Sequence, residues 1–409
     1  MTRTRVAITG LGVKTPAGCD LGSFWDTLLA GRATAAPIRR IDPADLPVRF
    51  GCEVVEFDPS VYFDSKETRR TDRAAQLAFG AAADALADAG ELGADPARCG
   101  GVAAAGVGGL ITQEEQEYNL FSRGPSRVSP MLVPMMMPNA AAALVGLKLG
   151  WTGPNFCIAT ACAGGSHAIG EAARLIREGS SDVVLAGGSE ACVTPIAIAA
   201  FARMGALSNR NGEPTLASRP FDVDRDGFVM GEGAGFLVLE SWDRAVARGA
   251  HIYGEVAGYG RNSDAYHVTA PAPGGAGAAH CMRLALADAG LEPAQIGHVN
   301  AHGTSTDLND AAEAEAVVKV FGEHTLPIWS AKGSIGHLIA AAGAVEAVAA
   351  MLSMRDGVVP PTANHEKADP EMGVDVVADG PRTLAAAPVV SNSFGFGGHN
   401  ASLVLTPPA

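Results

Sequence analysis

The sequence has 409 residues, of which 47% are hydrophobic and 18% charged, a composition typical of a globular protein with a large core. Its formal net charge of −14 argues against nucleic acid as a general partner. Seven scattered cysteines without a Cys-x-x-Cys pair predict a reduced, cytoplasmic protein with neither a disulfide framework nor a zinc site. The longest membrane-like run, 131–147, is too short and too interrupted by proline to span a bilayer, so no membrane association is expected.

Strands and helices alternate along the predicted chain. Apolar runs predict strands at 6–9, 101–107, 182–188, 228–239, 252–258, 298–300, 327–330, 374–377, 389–393 and 401–405. Helices are predicted at 23–30, 72–86, 168–176, 241–248, 277–289, 310–321 and 338–354. This alternation indicates an α/β fold with buried sheets. We place a boundary near residue 250, which gives two units, 1–250 and 251–409, that share no repeat by residue identity.

A strand, a tight turn and a helix are predicted around Cys162. The apolar run ends at this cysteine, the small residues 163–165 allow a sharp bend, and Gly179 ends the helix that follows. Such a turn holds a side chain out of the sheet, as nucleophile elbows do. A thiol at the positive end of a helix dipole is also expected to favour its thiolate form. From this stretch alone, a nucleophile and a buried core cysteine are equally good interpretations.

Three other stretches carry polar residues in small, apolar surroundings. They are Asn300-Ala301-His302-Gly303-Thr304-Ser305-Thr306, Lys332-Gly333-Ser334-Ile335-Gly336-His337 and Ser391-Asn392-Ser393-Phe394-Gly395-Phe396-Gly397-Gly398-His399-Asn400. Taken singly, each has an ordinary structural explanation: a satisfied polar histidine, an ion pair between Lys332 and Glu346, or a chain reversal. Together, one cysteine and two histidines can perform acyl transfer followed by carbanion chemistry. The N–H groups of the Gly-rich turn could supply an oxyanion hole.

In these motifs the sequence resembles the chain-elongating β-ketoacyl-acyl-carrier-protein synthases of the thiolase fold. The resemblance rests on Thr160-Ala161-Cys162, on the motifs around His302 and Phe396, and on Lys332 with His337 five residues on. It extends over residues 6–405. It implies two similar halves fused into a five-layer α-β-α-β-α core, usually as a dimer. The cysteine would come from the first half and both histidines from the second.

The resemblance also implies a role for each motif residue. Cys162 would take an acyl chain from a carrier protein. His302 and His337 would assist decarboxylation of a malonyl thioester, whose carbanion then attacks the Cys162 thioester to give a 3-oxoacyl chain two carbons longer. The N–H groups of Cys162 and Phe396 would hold the oxyanion, and Phe396 would gate the acyl pocket. The other implied roles are electrostatic organisation by Lys332 and Glu346, pantetheine binding by Thr304 and Thr306, and contact with the substrate by Val107 and Phe394.

The same resemblance bears on ions and partners. No cofactor is expected to be required, although some relatives hold a structural monovalent cation at positions that correspond here to Asn300, Glu346, Ser391 and Asn392. A carrier-protein docking surface is expected at Lys66, Arg69 and Arg70. A local basic patch acts within a Debye length of about 8–10 Å, despite the negative net charge. His399 stands where many relatives have threonine and receives no catalytic role, because two motif histidines already fill that place.

Related functions remain as alternatives. The nearest is the ketosynthase subunit of a type II polyketide synthase, which would pair as a heterodimer with a chain-length-factor partner, whereas an elongating synthase is expected to be a homodimer. The amino-acid sequences of the motifs around His302 and Phe396 favour the fatty-acid group. A catalytically silent partner subunit is disfavoured because Cys162, His302 and His337 are all present. A degradative thiolase and a starter-condensing synthase with a Cys-His-Asn set are both disfavoured by the second histidine, His337.

Overall fold

The computed structural model describes residues 3–408. Its strands are β1 Val6–Lys14, β2 Ala36–Pro37, β3 Phe50–Gly51, β4 Cys99–Ala104, β5 Asn155–Ile158, β6 Val183–Glu190, β7 Gly233–Ser241, β8 Gly254–Ser263, β9 His298–Asn300, β10 Pro327–Trp329, β11 Val358–Val359, β12 Asp375–Val376, β13 Arg382–Thr383, β14 Val389–Gly395 and β15 His399–Thr406. Its helices are α1 Leu21–Leu29, α2 Ser65–Thr68, α3 Arg73–Ala89, α4 Leu110–Arg123, α5 Leu132–Met136, α6 Ala140–Leu149, α7 Gly164–Arg177, α8 Pro195–Arg203, α9 Trp242–Ala247, α10 Ala276–Ala289, α11 Asp307–Phe321, α12 Lys332–Ile335 and α13 Ala342–Asp356.

Eleven strands form one mixed sheet in the order β12-β10-β9-β14-β15-β8-β1-β7-β6-β4-β5. The five strands at one end of this order precede residue 250, and the other six follow it. The two halves of the sheet meet where β1 pairs antiparallel with β8, with Ala7 opposite Glu255. The chain passes from one half to the other between Ala247 and Gly254. The division into units 1–250 and 251–409 stays a prediction.

Three hydrophobic clusters lie in layers with the sheet: one between its two halves and one on the outer face of each half. The central core includes residues of α7 and α13, such as Ile169 and Val345, which are fully buried and pack against strands of both halves. Helices α3 and α6 cover the outer face of the first half, and α10 and α11 cover the outer face of the second half. This succession of helix, sheet, helix, sheet and helix confirms the predicted five-layer α/β architecture.

Both halves repeat one close contact between a strand glycine and a helix backbone. A Cβ atom on Gly10 in β1 would collide with the carbonyl oxygen of Ala85 in α3, and one on Gly258 in β8 would collide with that of Ala285 in α10. The next backbone N–H group in each strand donates to a helix aspartate at 2.9 Å, Leu11 to Asp88 and Tyr259 to Asp288. The halves therefore share a local structure that residue identity does not reveal.

A second repeat is the turn that begins each central helix. Ala161, before α7, has a φ of +48°, and Ile339, before α13, has a φ of +51°. These left-handed values are uncommon for residues that carry a Cβ atom and cost free energy. The next residue is Cys162 in the first half and Ala340 in the second, each within a short 3₁₀ turn. A sharp turn is present as predicted, but it lies at Ala161, before Cys162, and residues 163–165, where the bend was expected, are helical. The same turn occurs a second time at Ile339.

Some predicted elements are wrong at their ends. The strand predicted at 228–239 begins only at Gly233, because the preceding segment instead bridges across to the second half, at Met230 and His337. The helix predicted at 338–354 begins at Ala342, because the left-handed turn at Ile339 precedes it. Helix α4 is absent from the prediction, and with Thr112 its one buried residue it has no apolar stripe that would mark it.

None of the helices within residues 3–408 combines the length and the apolar character that a membrane span requires.

Candidate active site

Residues from both halves of the sheet line a cavity of about 550 Å³. Val107 follows β4, Cys162 follows β5 and His302 follows β9, so three of its lining residues come just after the carboxyl ends of strands in parallel pairs. Ligands of sheets with parallel strands bind at these ends. His337 and Phe396 complete the group of motif residues around the cavity. The structure therefore brings together the cysteine, both histidines and the Gly-rich turn.

His337 directs a hydrogen-bond donor at the thiol. Its Nε2 atom lies 3.0 Å from Sγ of Cys162, and the Ile339 N–H group donates to its Nδ1 atom at 3.3 Å. Because Nδ1 accepts this bond, the proton of the neutral ring is assigned to Nε2, which faces the sulfur. Burial, followed by the charge of Lys332, places the pKa of His337 well below its ordinary value, so the ring is neutral near pH 7.

His302 has the same tautomer for a similar reason. Lys332 Nζ lies 3.4 Å from its Nδ1 atom, and an ammonium group can only donate. Burial, then the charges of Lys332 and His337, hold the pKa of His302 well below its ordinary value. The two imidazole rings meet edge to face with centroids 5.4 Å apart. The site therefore presents two neutral imidazoles whose Nε2–H groups are both available as donors.

The thiol of Cys162 is protonated at rest. Burial raises its pKa to about 12, and this effect outweighs the opposing influence of Lys332 and of the Phe396 and Cys162 N–H groups. The thiolate expected from the helix N-terminus is therefore wrong for the free site, because the sulfur is buried away from water. The proton must leave when substrate is attacked.

The Gly-rich turn approaches the cysteine closely enough to form an oxyanion hole. A Cβ atom on Gly395 would lie 3.1 Å from the Cys162 nitrogen and 2.8 Å from the Thr160 oxygen, so a larger residue would push β14 away from the elbow. The N–H groups of Phe396 and Cys162 both lower the pKa of the Cys162 thiol, as donors directed toward the sulfur would. The Phe396 ring lines the cavity beside Phe201, with centroids 6.3 Å apart. The oxyanion role of these N–H groups and the gating role of Phe396 stay predictions.

Lys332 and Glu346 form a buried ion pair beneath the histidines, with side chains 1% exposed. Lys332 Nζ also donates to the His302 carbonyl oxygen at 2.6 Å. Burial raises the pKa of Glu346, whereas the neighbouring ammonium lowers it. Neither residue is among those that line the cavity. Their position agrees with an electrostatic role that involves no direct contact with substrate.

The Cys162, His302 and His337 side chains also have a spacing that a metal ion could use, with ligand atoms within 4.8 Å of one another. A metal would need the Nε2 lone pairs, which the assigned tautomers occupy with protons. It would also lie close to the Lys332 ammonium. The chemistry of this donor set therefore favours hydrogen-bond donation over metal binding.

The residues predicted to hold a monovalent cation fit in part. Asn300 Nδ2 donates to the Glu346 carbonyl oxygen at 2.8 Å and lies 3.4 Å from Ser391 Oγ. Asn300 Oδ1 and Glu346 Oε2 are buried without a hydrogen-bond partner among the described residues, as oxygen ligands of a cation would be. Asn392 fits less well, because its side-chain oxygen accepts a hydrogen bond from the Ser402 hydroxyl at 2.8 Å and its Nδ2 atom donates to Glu313 at 3.2 Å.

Two buried carboxylates of α11 are absent from the predicted site. Glu313 accepts the His302 and Gly303 N–H groups at 2.8 and 2.7 Å, and Asp310 accepts the Thr304 N–H group at 2.9 Å. Burial raises the pKa of both, that of Glu313 to about 7. They fix the loop that carries His302. Their spacing of three residues on one helix face, directly after the His302 motif, is the signal that could have found them.

The four predicted substrate-binding residues all line the cavity. The hydroxyl oxygens of Thr304 and Thr306 lie 2.9 Å apart. Phe394 packs edge to face against His302, with centroids 5.9 Å apart. Val107 is 47% exposed, so part of the wall is open in a single chain.

The predicted docking residues Lys66, Arg69 and Arg70 lie in and just after α2, outside the cavity lining. All three are exposed, and within the described part of the chain none of them forms an ion pair. They are therefore available to an acidic partner. His399 packs against Gly397 and is not among the cavity-lining residues, which agrees with its having no predicted role.

Sequence comparisons find relatives over the whole chain. The beta-ketoacyl synthase N-terminal domain matches residues 3–245, and the beta-ketoacyl synthase C-terminal domain matches residues 253–366. A Synechocystis sp. protein named 3-oxoacyl-[acyl-carrier-protein] synthase 2 is 46% identical over 98% of both chains. A protein of the same name from Coxiella burnetii is 43% identical over 99% of both chains.

Solved structures of ketosynthases also align with the chain over its whole length or nearly so. The ishigamide ketosynthase/chain length factor aligns with a TM-score of 0.93 and 36% identity over 100% of both chains. A type II polyketide ketosynthase in complex with its acyl-carrier protein aligns at 0.92 and 32% identity over 100% of both chains. A beta-ketoacyl synthase from Burkholderia phymatum STM815 aligns at 0.92 and 36% identity, over 99% of this chain and 100% of the other. With both family domains matched and the predicted thiolase-like fold confirmed, the chain belongs to the beta-ketoacyl synthase family.

Proposed function

We propose that this enzyme elongates fatty-acid chains by decarboxylative Claisen condensation, joining a Cys162-bound acyl group to malonyl-acyl carrier protein to give a 3-oxoacyl-acyl carrier protein. The observation that carries the proposal is the thiol of Cys162 lying 3.0 Å from the Nε2–H donor of His337, with His302 beside it in one cavity. The full-length relatives named 3-oxoacyl-[acyl-carrier-protein] synthase 2 support this reaction.

The first step is acyl transfer. The Cys162 sulfur attacks the carbonyl carbon of the carrier-bound thioester, the new carbon–sulfur bond forms, and the bond to pantetheine breaks. The thiol proton goes to the departing pantetheine sulfur, which balances the step. The N–H groups of Cys162 and Phe396 stabilise the negative oxygen of the tetrahedral intermediate.

The second step makes the carbon–carbon bond. Loss of carbon dioxide from the malonyl thioester leaves an enolate, whose oxygen accepts hydrogen bonds from the Nε2–H groups of His302 and His337. The enolate carbon attacks the carbonyl carbon of the Cys162 thioester, and the sulfur leaves as a thiolate. One proton taken up from solvent restores the thiol, and the elongated chain stays on the carrier. Neutral imidazoles suit this task because they donate without taking up a proton.

Lys332 keeps the donors in this state. Its ammonium lies next to Nδ1 of His302, so it opposes protonation of both rings, and Glu346 balances its charge. No cofactor takes part in these steps. We also propose that a structural monovalent cation binds near Asn300 and Glu346. Each of these residues has one buried oxygen without a hydrogen-bond partner among the described residues, which supports the proposal.

The carrier protein is assigned as the substrate-bearing partner. A structural neighbour at 32% identity is a ketosynthase in complex with its acyl-carrier protein, which supports the assignment. Thr304 and Thr306 line the cavity and would bind the pantetheine arm. Lys66, Arg69 and Arg70 would receive the acidic carrier. Arg69→Glu with Arg70→Glu should raise KM for carrier-bound substrates and leave a small thioester analogue unaffected; equal loss with both substrates would refute the docking role.

We also propose a homodimer formed through β5. This strand is the outer strand of the sheet, and Asn155 and Phe156 are exposed on it, so its free edge needs a partner. Phe121 and Leu147 add exposed apolar surface, at 85% and 82%. Light scattering of the purified chain should give the mass of two copies, whereas a monomer or an obligatory different subunit would contradict the proposal.

The second candidate is the ketosynthase subunit of a type II polyketide synthase. Two structural neighbours favour it, a ketosynthase/chain length factor at 36% identity and a type II polyketide ketosynthase at 32% identity. The relatives named 3-oxoacyl-[acyl-carrier-protein] synthase 2 are more similar, at 46% and 43%. Purification without added neighbours separates the candidates, because activity of the chain alone supports fatty-acid elongation and dependence on a second subunit supports the polyketide function.

The test of the reaction is intact-mass measurement after incubation with acyl-acyl carrier protein. The wild-type chain should gain one acyl group, and later addition of malonyl-acyl carrier protein should release a 3-oxoacyl product two carbons longer. Cys162→Ala should gain none. Cys281→Ala removes another buried thiol, outside the cavity lining, and should keep the adduct. An adduct that survives in Cys162→Ala would contradict the proposal.

A further inference from the structure

Glu190 is a fully buried carboxylate at the end of β6 that the proposed reaction does not use. It accepts the Gly106 N–H group at 2.7 Å and the Val107 N–H group at 3.4 Å. Strand β4 ends at Ala104, so these two donors lie beyond the sheet's own hydrogen bonds. The carboxylate therefore satisfies backbone groups that would otherwise be costly to bury.

The same carboxylate lies directly behind the cavity wall. A Cβ atom on Gly106 would lie 2.5 Å from Oε2 of Glu190 and 3.1 Å from Cγ2 of Ile339. Gly106, Val107 and Ile339 all line the cavity with Cys162, whereas Glu190 does not. A change at Glu190 would thus reach the wall through the Gly106 backbone.

The second half of the molecule shows what this arrangement does. There, Glu313 accepts the N–H groups of His302 and Gly303 and fixes a loop that carries a catalytic side chain. Glu190 likewise accepts hydrogen bonds from two consecutive N–H groups, but the side chain on the loop that it fixes is the apolar Val107. Hydrogen bonds to an ionised acceptor are stronger than neutral ones, so these two bonds hold the loop most firmly above about pH 7, where Glu190 is ionised.

We propose that Glu190 is a positioning residue that sets the acyl-chain selectivity of this enzyme by fixing Gly106 and Val107 in the wall of the acyl pocket. The inference rests on the proposed condensation and extends it to the choice of substrate. A fixed wall discriminates between chains that fit and chains that do not, whereas a loose wall yields to both.

The charge of Glu190 gives a second readout. Its titratable neighbours are the thiols of Cys157, Cys162 and Cys192, and a negative charge on Glu190 raises the pKa of each. Burial raises the pKa of Glu190 to about 7, against the opposing Gly106 and Val107 N–H groups. Above that pH, removing the charge should lower the pKa of Cys162, although burial still keeps it above its ordinary value.

The main experiment compares Glu190→Gln with the wild type across saturated acyl-acyl carrier proteins of increasing length. The amide turns one N–H donor toward a backbone N–H group, so one hydrogen bond is lost and the wall loosens. We expect the ratio of kcat/KM between the best and the poorest chain to fall about tenfold. We also expect iodoacetamide to label Cys162 faster above pH 7, as measured by mass spectrometry of its peptide.

Glu53→Gln is the matched control. Glu53 is also a buried carboxylate that accepts two consecutive N–H groups, those of Arg39 at 2.8 Å and Arg40 at 3.2 Å. None of these three residues lines the cavity. Its chain-length profile and Cys162 labelling should match those of the wild type.

Glu190→Asp provides a second test, which also serves if the glutamine variant does not fold. It keeps the charge but is too short to reach both donors, so it should flatten the chain-length profile while labelling of Cys162 stays as in the wild type. A wild-type profile in the folded Glu190→Gln or Glu190→Asp variant overturns the inference, and so does an equal change in Glu53→Gln. Absence of condensation by the wild type would instead refute the proposed function.

Discussion

In the first half of the molecule the left-handed residue Ala161 is followed by a thiol, and in the second half the left-handed residue Ile339 is followed by the methyl group of Ala340. The backbone is alike at both turns, and both introduce a helix of the central layer. Cys162 reaches the cavity, whereas Ala340 is fully buried and not part of its lining. The comparison shows that the fold supplies the turn and the side chain supplies the nucleophile.

The loops after β4 and β9 differ in the same manner. Each is fixed by one buried glutamate whose pKa burial raises to about 7, Glu190 in the first half and Glu313 in the second. The first loop presents Val107 and the second presents His302. Both loops contribute to the cavity lining, one with an apolar side chain and the other with an imidazole, and both use the same kind of support.

The most direct test of whether the two turns are equivalent is to exchange the residues that follow them. Cys162→Ala should lower the condensation rate at least ~10³-fold, because no acyl-enzyme can form. Adding Ala340→Cys should not restore it, because position 340 is 0% exposed. Intact-mass measurement with acyl-acyl carrier protein checks both variants. An acyl group found on position 340 would show that the two turns are chemically equivalent.

A second test concerns the ammonium of the second half. In Lys332→Met combined with Glu346→Gln, no charge is left buried without its partner. Lys332 lowers the pKa of His302 and His337, so its loss raises both, and the rings protonate at a higher pH than in the wild type. Decarboxylation of malonyl-acyl carrier protein should therefore fall on the acid side, about tenfold per pH unit, where the wild type is still active. If the decarboxylation rates of the variant and the wild type fell at the same acidic pH, the role of Lys332 would be contradicted.

A third test sharpens the contrast between the two loops. Val107→Phe adds bulk to the wall that Glu190 supports and should lower kcat/KM for the longest accepted chain about tenfold, with little change for short chains. Initial rates with a series of acyl-acyl carrier proteins measure this. Thr112→Ser, a conservative change at a buried residue outside the cavity lining, serves as the control. An unchanged chain-length profile would remove Val107 from the pocket.

The smallest effect on activity is expected for the repeated glycines. Gly10→Ala and Gly258→Ala each force a Cβ atom into a helix carbonyl oxygen and should each lower the free energy of unfolding by about 1–3 kcal/mol. Denaturant unfolding measures both. Because the contacts match, the two losses should agree to within about 1 kcal/mol. A loss confined to one half would show that the halves are not equivalent there.

The sequence predicts the motif residues well because each motif is local. Cys162, His302 and Phe396 lie in short stretches whose residue types already indicate the chemistry, and their resemblance to a known family implies that they meet. The raised pKa of Cys162 could not be predicted, since it depends on burial by residues far away in the chain. The helix dipole, which is visible in the sequence, points in the opposite direction.

Glu190 and Glu313 escape sequence reasoning for another reason. Glu190 acts on backbone N–H groups, which every residue except proline has, so no pairing of side chains marks it. Glu313 also acts on backbone N–H groups, and its only signal in the sequence is its spacing from Asp310 after the His302 motif. The duplication is hidden as well. It is visible in the close contacts that Gly10 and Gly258 make with a helix backbone and in the two left-handed residues Ala161 and Ile339, not in a repeated amino-acid sequence.

The protonated thiol of Cys162 has a consequence for how the enzyme survives oxidants. Peroxides and simple electrophiles attack thiolates, and a cysteine with a pKa of about 12 offers almost none at neutral pH. Oxidation and alkylation of Cys162 should therefore be slow at neutral pH until a ligand brings a carbonyl oxygen to the Phe396 and Cys162 N–H groups. A covalent inhibitor of this enzyme should carry such an oxygen beside its reactive carbon, because intrinsic electrophilicity alone would give only a slow reaction with the protonated thiol.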